Sequence, residues 1–141
     1  MTADESAGAQ KTHAVECSNQ DYDFFYEGLE AKQLLVQKCG QCGILRSPPA
    51  PMCHKCRSLQ WTAQPMSGRG HIWSYTVHRH PPLPGFVLPH PVGVVELTEG
   101  VRVPSGLDGI ALEELRIGLP VEVEFFRRGS LATYCFRRLT S

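Results

Sequence analysis

The chain has 141 residues, which is enough for one ordinary domain or for two small ones that share a core. Lysine plus arginine and aspartate plus glutamate both number 14, so the formal net charge is zero. Proteins that bind nucleic acid usually carry a basic excess, because phosphate contacts supply most of their non-specific affinity. The charge balance therefore argues against that class.

The N-terminal part of the chain predicts a tail and then a short helix. Residues 1–20 are small and polar without periodicity, which is typical of a flexible tail, and they hold no apolar secretory signal. No apolar run approaches the roughly 20 residues that span a bilayer, so we expect a soluble, cytoplasmic protein without a membrane partner. From residue 21, Asp21 and Asp23 are candidate helix caps. Apolar and aromatic residues then recur at helical spacing, and we expect them to pack on this chain rather than on another: Tyr22, Phe25, Tyr26 and Leu29.

Four of the six cysteines form two C-x-x-C pairs: Cys39, Cys42, Cys53 and Cys56. In each pair the two intervening residues let the backbone fold back, so that two such knuckles complete the tetrahedron of thiolates that Zn²⁺ accepts. A disulfide pair would need an oxidising compartment, a thioredoxin-type motif uses only one pair, and iron would make a rubredoxin-like electron carrier. We expect structural zinc, with all four positions filled and none open for catalysis.

The segment around these cysteines is predicted to be a zinc ribbon over residues 33–64, within an N-terminal unit at 21–64. Residues 34–38 have the pattern of a strand, and a proline-rich loop separates the two knuckles. Gly43 follows the first knuckle and suits the positive φ at which such a turn ends, whereas Arg57 holds the equivalent place in the second. So small a ribbon depends on its metal for stability.

Beyond Pro65 the alternation of apolar and polar residues predicts strands. In the first of them, residues 71–79, Trp73 and Tyr75 share a face that we expect to fill a barrel core rather than to stack on a ligand. The next segment holds five prolines in residues 81–91, and it predicts a long stiff loop because proline donates no amide hydrogen. Its apolar side chains either form a recognition surface or fold back onto the barrel.

The rest of the chain completes a predicted barrel. Further strands are expected at residues 92–97, 101–103, 121–126 and 131–138, with one or two helical turns at 111–116. Five short strands with a helix between the third and the fourth is the order of an OB-fold. The predicted fold is therefore mainly β, with an N-terminal short helix and a rubredoxin-like zinc ribbon before a five-stranded OB-fold barrel at 65–141.

The last two strands form a hairpin whose register the sequence predicts. If residues 129–130 are its two-residue loop, Glu122 faces Arg137 on the outer side of the hairpin. That outer side is otherwise too apolar for free contact with water, so the helix, the ribbon or a partner should cover it. Cys135 then lies opposite Glu124, which would raise the pKa of its thiol, so we interpret Cys135 as structural rather than nucleophilic.

Several motifs occur together and in order. They are residues 24–29 (FFYEGL), residues 34–43, the two prolines before the second knuckle, residues 67–77 (SGRGHIWSYTV) and residues 95–102 (VELTEGVR). From about residue 22 to the C-terminus the chain resembles the acyl-CoA-associated zinc-ribbon and OB-fold family, domain of unknown function thirty-five.

The resemblance implies an accessory subunit rather than an enzyme. It implies docking on a thiolase-fold subunit that acts on acyl-CoA thioesters, in a hetero-oligomer with acyl-CoA at the shared interface. Some members of the family support a thiolase-like retro-aldolase of steroid side-chain degradation. The sequence itself is consistent with a non-catalytic subunit, since it contains no Gly-rich phosphate loop, no serine elbow and no paired acid in a recognisable motif.

Contact with CoA would require cations or amides for its phosphates. Arg69 lies between Gly68 and Gly70 and is the first candidate, because glycines let a ligand approach backbone amides. Arg79 and Arg102 are weaker candidates, and ordinary exposed arginines are an equal alternative for all three. Two other functions stay open: an OB-fold nucleic-acid-binding module with aromatic stacking platforms, and a rubredoxin-like electron carrier.

Overall fold

A computed structural model describes residues 20–140, so the predicted tail at residues 1–20 lies outside the described part except for Gln20. These described residues are mainly β with one α-helix, α1 (Asp23–Glu30), which follows a 3-10 turn at Gln20–Tyr22. In this range no helix combines the length and the apolar character needed to cross a membrane.

Helix α1 packs on its own chain, as expected. The ring of Phe25 meets that of Tyr134 nearly edge-on, with centroids 5.7 Å apart. Gly28 allows the close approach of the helix to the next strand, because a Cβ at this residue would lie 2.7 Å from Leu35 Cδ1. The residue before the helix is Tyr22, which makes no side-chain capping hydrogen bond, so neither predicted aspartate occupies the cap position.

The ribbon is a small antiparallel sheet of three strands: β1 (Leu35–Cys39), β2 (Leu45–Arg46) and β3 (Trp61–Pro65). The order is β2-β1-β3, with β1 in the centre. Leu34 and Val36 are buried in the same apolar cluster as Ile72 and Phe136 of the barrel. The ribbon and the barrel therefore share one core, and the division at residue 64 stays a prediction.

The barrel has five strands: β4 (Arg69–His78), β5 (His90–Leu97), β6 (Arg102–Gly106), β7 (Pro120–Arg128) and β8 (Leu131–Arg138). They close in the order β4-β5-β6-β8-β7. A single 3-10 turn, Leu112–Glu114, lies between the third and the fourth barrel strand. The predicted fold class, a mainly β chain with a short helix, a cysteine cluster and a five-stranded OB-type barrel, is confirmed.

The register of the β7–β8 hairpin is the predicted one. Glu122 pairs with Arg137 and Glu124 pairs with Cys135. The Glu122 carboxylate lies 3.5 Å from the Arg137 guanidinium. On the other side of the hairpin Phe136 is fully buried in the core.

The predicted core positions of β4 are wrong. A bulge between Ile72 and Ser74 leaves Trp73 without a pairing residue in β5, and Ile72 takes the core position opposite Val95. Trp73 and Tyr75 are 43% and 38% exposed, whereas Ile72 is fully buried. The bulge adds one residue to the strand, which a simple two-residue alternation in the sequence does not reveal.

Candidate metal centre and docking surface

Two equivalent turns bring the four cysteines together. In the first, the Gly43 amide donates to the carbonyl of Cys39 at 3.1 Å, and in the second the Arg57 amide donates to that of Cys53 at 3.0 Å. Gly43 has φ +79° and Arg57 has φ +67°. Arg57 thus adopts the left-handed conformation in spite of its Cβ, at a cost of about 1–2 kcal/mol.

The sulfur atoms have the spacing of a tetrahedral metal site. The Sγ atoms of Cys39 and Cys56 are 3.5 Å apart, and those of Cys42 and Cys53 are 3.7 Å apart. All four lie within 4.8 Å of one another. Metal–sulfur bonds of about 2.3 Å in a tetrahedron place sulfurs about 3.8 Å apart. The four predicted cysteines therefore fit a metal ion held by thiolates alone.

The surrounding amides favour the thiolate form of part of this cluster. The Cys42 and Gln41 amides donate to Cys39 Sγ, each at 3.4 Å, and lower the pKa of Cys39 to about 6. The Ser58 amide lowers the pKa of Cys56, but burial and the neighbouring sulfurs together raise this pKa to about 11. Four adjacent thiolates repel one another, so a divalent cation is the charge this cluster requires to ionise fully.

A buried polar pair, which the sequence analysis did not identify, ties the proline-rich loop between the knuckles to strand β1. The Gln37 side chain is fully buried, and its Oε1 accepts hydrogen bonds from Arg46 Nε and the Ala50 amide, both at 2.8 Å. Arg46 Nη2 also donates to the Ala50 carbonyl at 3.1 Å. Nothing in the sequence distinguishes Arg46 from the exposed arginines, because its burial depends on the folded loop.

One face of the chain carries an apolar groove of about 570 Å³, which we call the aromatic groove. Helix α1, the loop between the knuckles, the proline loop after β4 and the β7–β8 hairpin form its walls. The lining includes Tyr22, Phe25, Tyr26, Pro48, Pro49, Pro84, Phe86, Leu131 and Tyr134. Because prolines and packed aromatic rings have few conformations to lose, this surface is suited to docking.

The proline loop after β4 folds back only in part. Arg128 Nη1 donates to the Gly85 carbonyl at 2.7 Å, and the guanidinium lies 4.3 Å from the centroid of the Phe86 ring. The tip of the loop is free of the barrel, since Val87 is 86% exposed. One side of the loop therefore closes the aromatic groove while its tip faces outward.

Within residues 20–140 the side chains of His90, Ser105 and Cys135 are not arranged as a nucleophile beside a base. His90 Nε2 lies 2.9 Å from Asp108 Oδ1 in a cavity of about 420 Å³. Ser105 lines the same cavity, but its hydroxyl donates to the Gly106 carbonyl at 2.8 Å. Burial raises the pKa of Cys135 to about 12, with a smaller contribution from nearby carboxylates, so its thiol stays neutral as predicted.

The three arginines considered for CoA phosphates lie apart from one another. Arg69 begins β4 and Arg79 follows its last residue, so a strand length of roughly 33 Å separates them. Arg102 Nε donates to Glu96 at 3.2 Å, and its guanidinium lies 3.8 Å above the Trp73 ring. A contact of any of the three with CoA stays a prediction.

The glycines beside Arg69 have a structural role in the barrel. A Cβ on Gly70 would lie 2.2 Å from the Glu96 carbonyl oxygen, and a Cβ on Gly68 would lie 2.5 Å from Val123 Cγ1. Gly70 pairs with β5 and with β7, where the barrel closes. The barrel requires these glycines whether or not a ligand approaches them.

The fold and the site define a class of small protein, an OB-type barrel joined to a ribbon with a four-cysteine cluster. Residues 63–126 match the model of the C-terminal OB-fold domain of ChsH2. A DUF35 domain-containing scaffold protein of Methanothermobacter thermautotrophicus is 36% identical over 65% of this chain and 71% of its own length. One of Pyrococcus furiosus is 34% identical over 67% of this chain and 69% of its own. The chain belongs to the DUF35 family.

Longer relatives and a solved structure are also similar. The probable enoyl-CoA hydratase alpha subunit of Thermomonospora curvata is 41% identical over 76% of this chain. The 3-oxo-4,17-pregnadiene-20-carboxyl-CoA hydratase alpha subunit of Mycobacterium tuberculosis is 36% identical over 77%. The present chain spans only 34% of the length of each. A chain of the solved Ltp2-ChsH2(DUF35) aldolase superposes with a TM-score of 0.80 and 39% identity, covering 85% of this chain and 95% of that one.

Proposed function

We propose that this chain is a non-catalytic accessory subunit that docks on a thiolase-fold enzyme and helps to form its channel for acyl-CoA. The observation that carries the proposal is the likeness to the chain of the Ltp2-ChsH2(DUF35) aldolase, which covers almost all of that chain. The name of the Mycobacterium tuberculosis relative supports a steroid acyl-CoA as the substrate class of the complex. In this proposal the partner enzyme cleaves the steroid acyl-CoA by a retro-aldol reaction, as the word aldolase in the name of the solved complex suggests.

The aromatic groove supplies the docking surface in this proposal. Aromatic side chains are enriched at protein interfaces, and the prolines around the groove lose little entropy when a partner binds. The exposed tip of the proline loop, with Val87, extends the same surface. Arg69 and Arg79 have exposed side chains and make no ion pair within residues 20–140, which leaves either one of them, but not both at once, available for the phosphates of one CoA. Arg102 is the third arginine in this proposal.

The four-cysteine cluster is proposed to hold a structural Zn²⁺. Bound zinc would supply a fixed cross-link between the two knuckles and no open coordination position. This cross-link would fix the position of the loop between the knuckles, in which Pro48 and Pro49 line the aromatic groove. Elemental analysis should give about one zinc per chain, whereas visible thiolate-to-iron absorption would indicate the electron carrier instead.

Co-expression with candidate thiolase-fold proteins tests the function. We expect a stable hetero-oligomer that cleaves or forms an acyl-CoA, and no turnover by this chain alone. Val87→Asp should weaken assembly at least about 10-fold by placing a charge in an apolar contact. Ile117→Asp is the matched control, because Ile117 is also an exposed apolar residue, at 69%, but lies between the 3-10 turn and β7, away from the proline loop. Turnover of a thioester by the isolated chain would overturn the proposal.

The exposure of Trp73 favours a second function, the nucleic-acid-binding module. A base can stack on an exposed ring, at about 1–3 kcal/mol per base. In this chain the Arg102 guanidinium already covers the ring, and Glu96 neutralises that arginine. Titration of a labelled single-stranded oligonucleotide at low salt decides the question, since binding that weakens steeply with salt would support the module.

A further inference from the structure

A second cleft separates the loop between the knuckles from the turn that joins β5 to β6, and we call it the cationic cleft. Its volume is about 560 Å³. Arg46, Met52 and His54 line one wall, and Val101 and Arg102 line the other. None of the described residues that line the cleft is acidic. The walls are therefore apolar with basic groups set among them, which differs from the aromatic groove.

Arg46 is a buried cation that has no counter-ion among residues 20–140. Its side chain is only 5% exposed, and its hydrogen bonds go to two neutral acceptors, Gln37 Oε1 and the Ala50 carbonyl. Arg46 Nη1 and Gln37 Nε2 are buried and have no hydrogen-bond partner within the described part of the chain. Across residues 20–140 no carboxylate lies within 4.0 Å of this guanidinium. A guanidinium stays protonated, so an uncompensated charge of this kind is costly unless an anion comes to it.

The charge of the chain is strongly segregated along the sequence, although the total is zero. Residues 31–95 contain seven lysines and arginines and no aspartate or glutamate. Four of the seven lie in the ribbon: Lys38, Arg46, Lys55 and Arg57. A divalent ion with four thiolates carries a net charge of about −2, so the ribbon stays positive with the metal in place. Such a surface attracts acidic groups.

We propose that the cationic cleft binds a carboxylate on an extended acidic segment of the partner enzyme, with Arg46 as its anchor. The inference rests on the proposed function in that the partner supplies the segment. Arg102 is already paired with Glu96, which leaves one uncompensated charge at Arg46. A single carboxylate matches one charge, whereas a phosphate would bring nearly two. Met52 and Val101 offer apolar contacts to the side chains that flank the acid.

The cleft can be tested on the full chain alone with a peptide probe. The probe is a fluorescein-labelled hexapeptide that alternates proline and glutamate, and its glutamine version is the matched control. We expect fluorescence anisotropy to show binding of the glutamate peptide only. Arg46→Gln should weaken that binding at least about 30-fold, since a buried charge loses its partner. Arg116→Gln, which removes an exposed arginine outside the cleft, should leave binding unchanged.

A second variant, Met52→Glu, tests the cleft without removing the buried Arg46 side chain. Met52 is 48% exposed, so Met52→Glu should not disturb the core, and its carboxylate should occupy the cleft from within. We expect it to abolish binding of the peptide while the metal content stays that of the parent and the thermal midpoint is no lower than that of the parent. Peptide binding that is equal in the parent, Arg46→Gln and Met52→Glu would overturn the inference.

Assembly with the partner distinguishes this inference from the proposed function. A complex that Arg46→Gln and Met52→Glu weaken, and Arg116→Gln does not, supports both. A complex that forms equally with all variants overturns the acidic-segment site and leaves the accessory function intact. If no thiolase-fold protein binds the chain, the proposed function fails, and the peptide titration alone then supports or overturns the carboxylate site.

Discussion

Gly70→Ala tests the closure of the barrel most directly. The added Cβ would lie 2.2 Å from the Glu96 carbonyl oxygen and 2.9 Å from Leu97 Cα. Ordinary carbon–oxygen contacts are about 3.3 Å, so β4 and β5 must separate by about 1 Å. Gly70 also pairs with Val121 on the other side of the strand, so β4 has no free direction in which to move.

The cost follows from these contacts. Overpacking costs about 1–3 kcal/mol, and two weakened ladder hydrogen bonds add about 1 kcal/mol each. Alanine returns about 0.5–1 kcal/mol by restricting the unfolded chain, so the free energy of unfolding should fall by about 3 kcal/mol. At about 4 °C per kcal/mol the thermal midpoint should drop by roughly 12 °C.

Thermal and urea unfolding, followed by circular dichroism, measure this change. Gly100→Ala is the matched control, because nothing lies within 4 Å of its added Cβ and only its φ of +94° is unfavourable. We expect the control to cost about 1 kcal/mol. A thermal midpoint for Gly70→Ala no lower than that of Gly100→Ala would refute the steric argument. The glycine would then need another explanation, such as approach of a ligand.

Three further predictions concern the ribbon and the buried thiol. Removal of the metal with a chelator, or Cys39→Ser, should unfold the ribbon and lower the free energy of unfolding by several kcal/mol, out of an apparent binding energy of roughly 10–16 kcal/mol. Elemental analysis and a thermal scan measure the effect, and an unchanged midpoint after metal loss would contradict it. Arg57→Gly should stabilise the chain by about 0.5–1 kcal/mol in urea, because glycine adopts φ +67° without strain. A lower urea midpoint would show that contacts of the Arg57 side chain stabilise the chain by more than the backbone strain destabilises it. Burial raises the pKa of Cys135 to about 12 and also raises the pKa of Tyr134. The stability that these neutral groups contribute is therefore complete below about pH 8.5 and is lost as the pH rises toward 12. Cys135→Ala should make the pH dependence of the urea midpoint shallower between pH 9 and 11, and an unchanged slope would count against burial of the thiol.

Two features of the fold were predictable because each depends on residues close together in the sequence. The cysteine spacing determines a local geometry, since two residues between ligands permit one turn, and the structure places the sulfurs as that turn requires. The hairpin register was equally local, because a two-residue loop and a period of two fix which residues face each other. Both predictions used only short stretches of chain.

The features that the sequence did not predict lie where segments distant in the chain meet. The bulge at Trp73 depends on how β4 curves between β5 and β7, so the sequence alternation assigned the wrong face. Gly70 looked like a ligand contact in the sequence, and only the position of Glu96 revealed a packing requirement. The burial of Arg46 likewise depends on a loop that folds over β1.

The sequence by itself determined the four-cysteine cluster, the succession of β-strands along the chain and the membership of the chain in its family. Periodicity and ligand spacing are properties of neighbouring residues, so they can be read before folding. The tertiary structure alone decided the shared core, the aromatic groove and the buried guanidinium in the cationic cleft. These features depend on side chains far apart in the chain, and their contacts exist only once the ribbon has packed on the closed barrel.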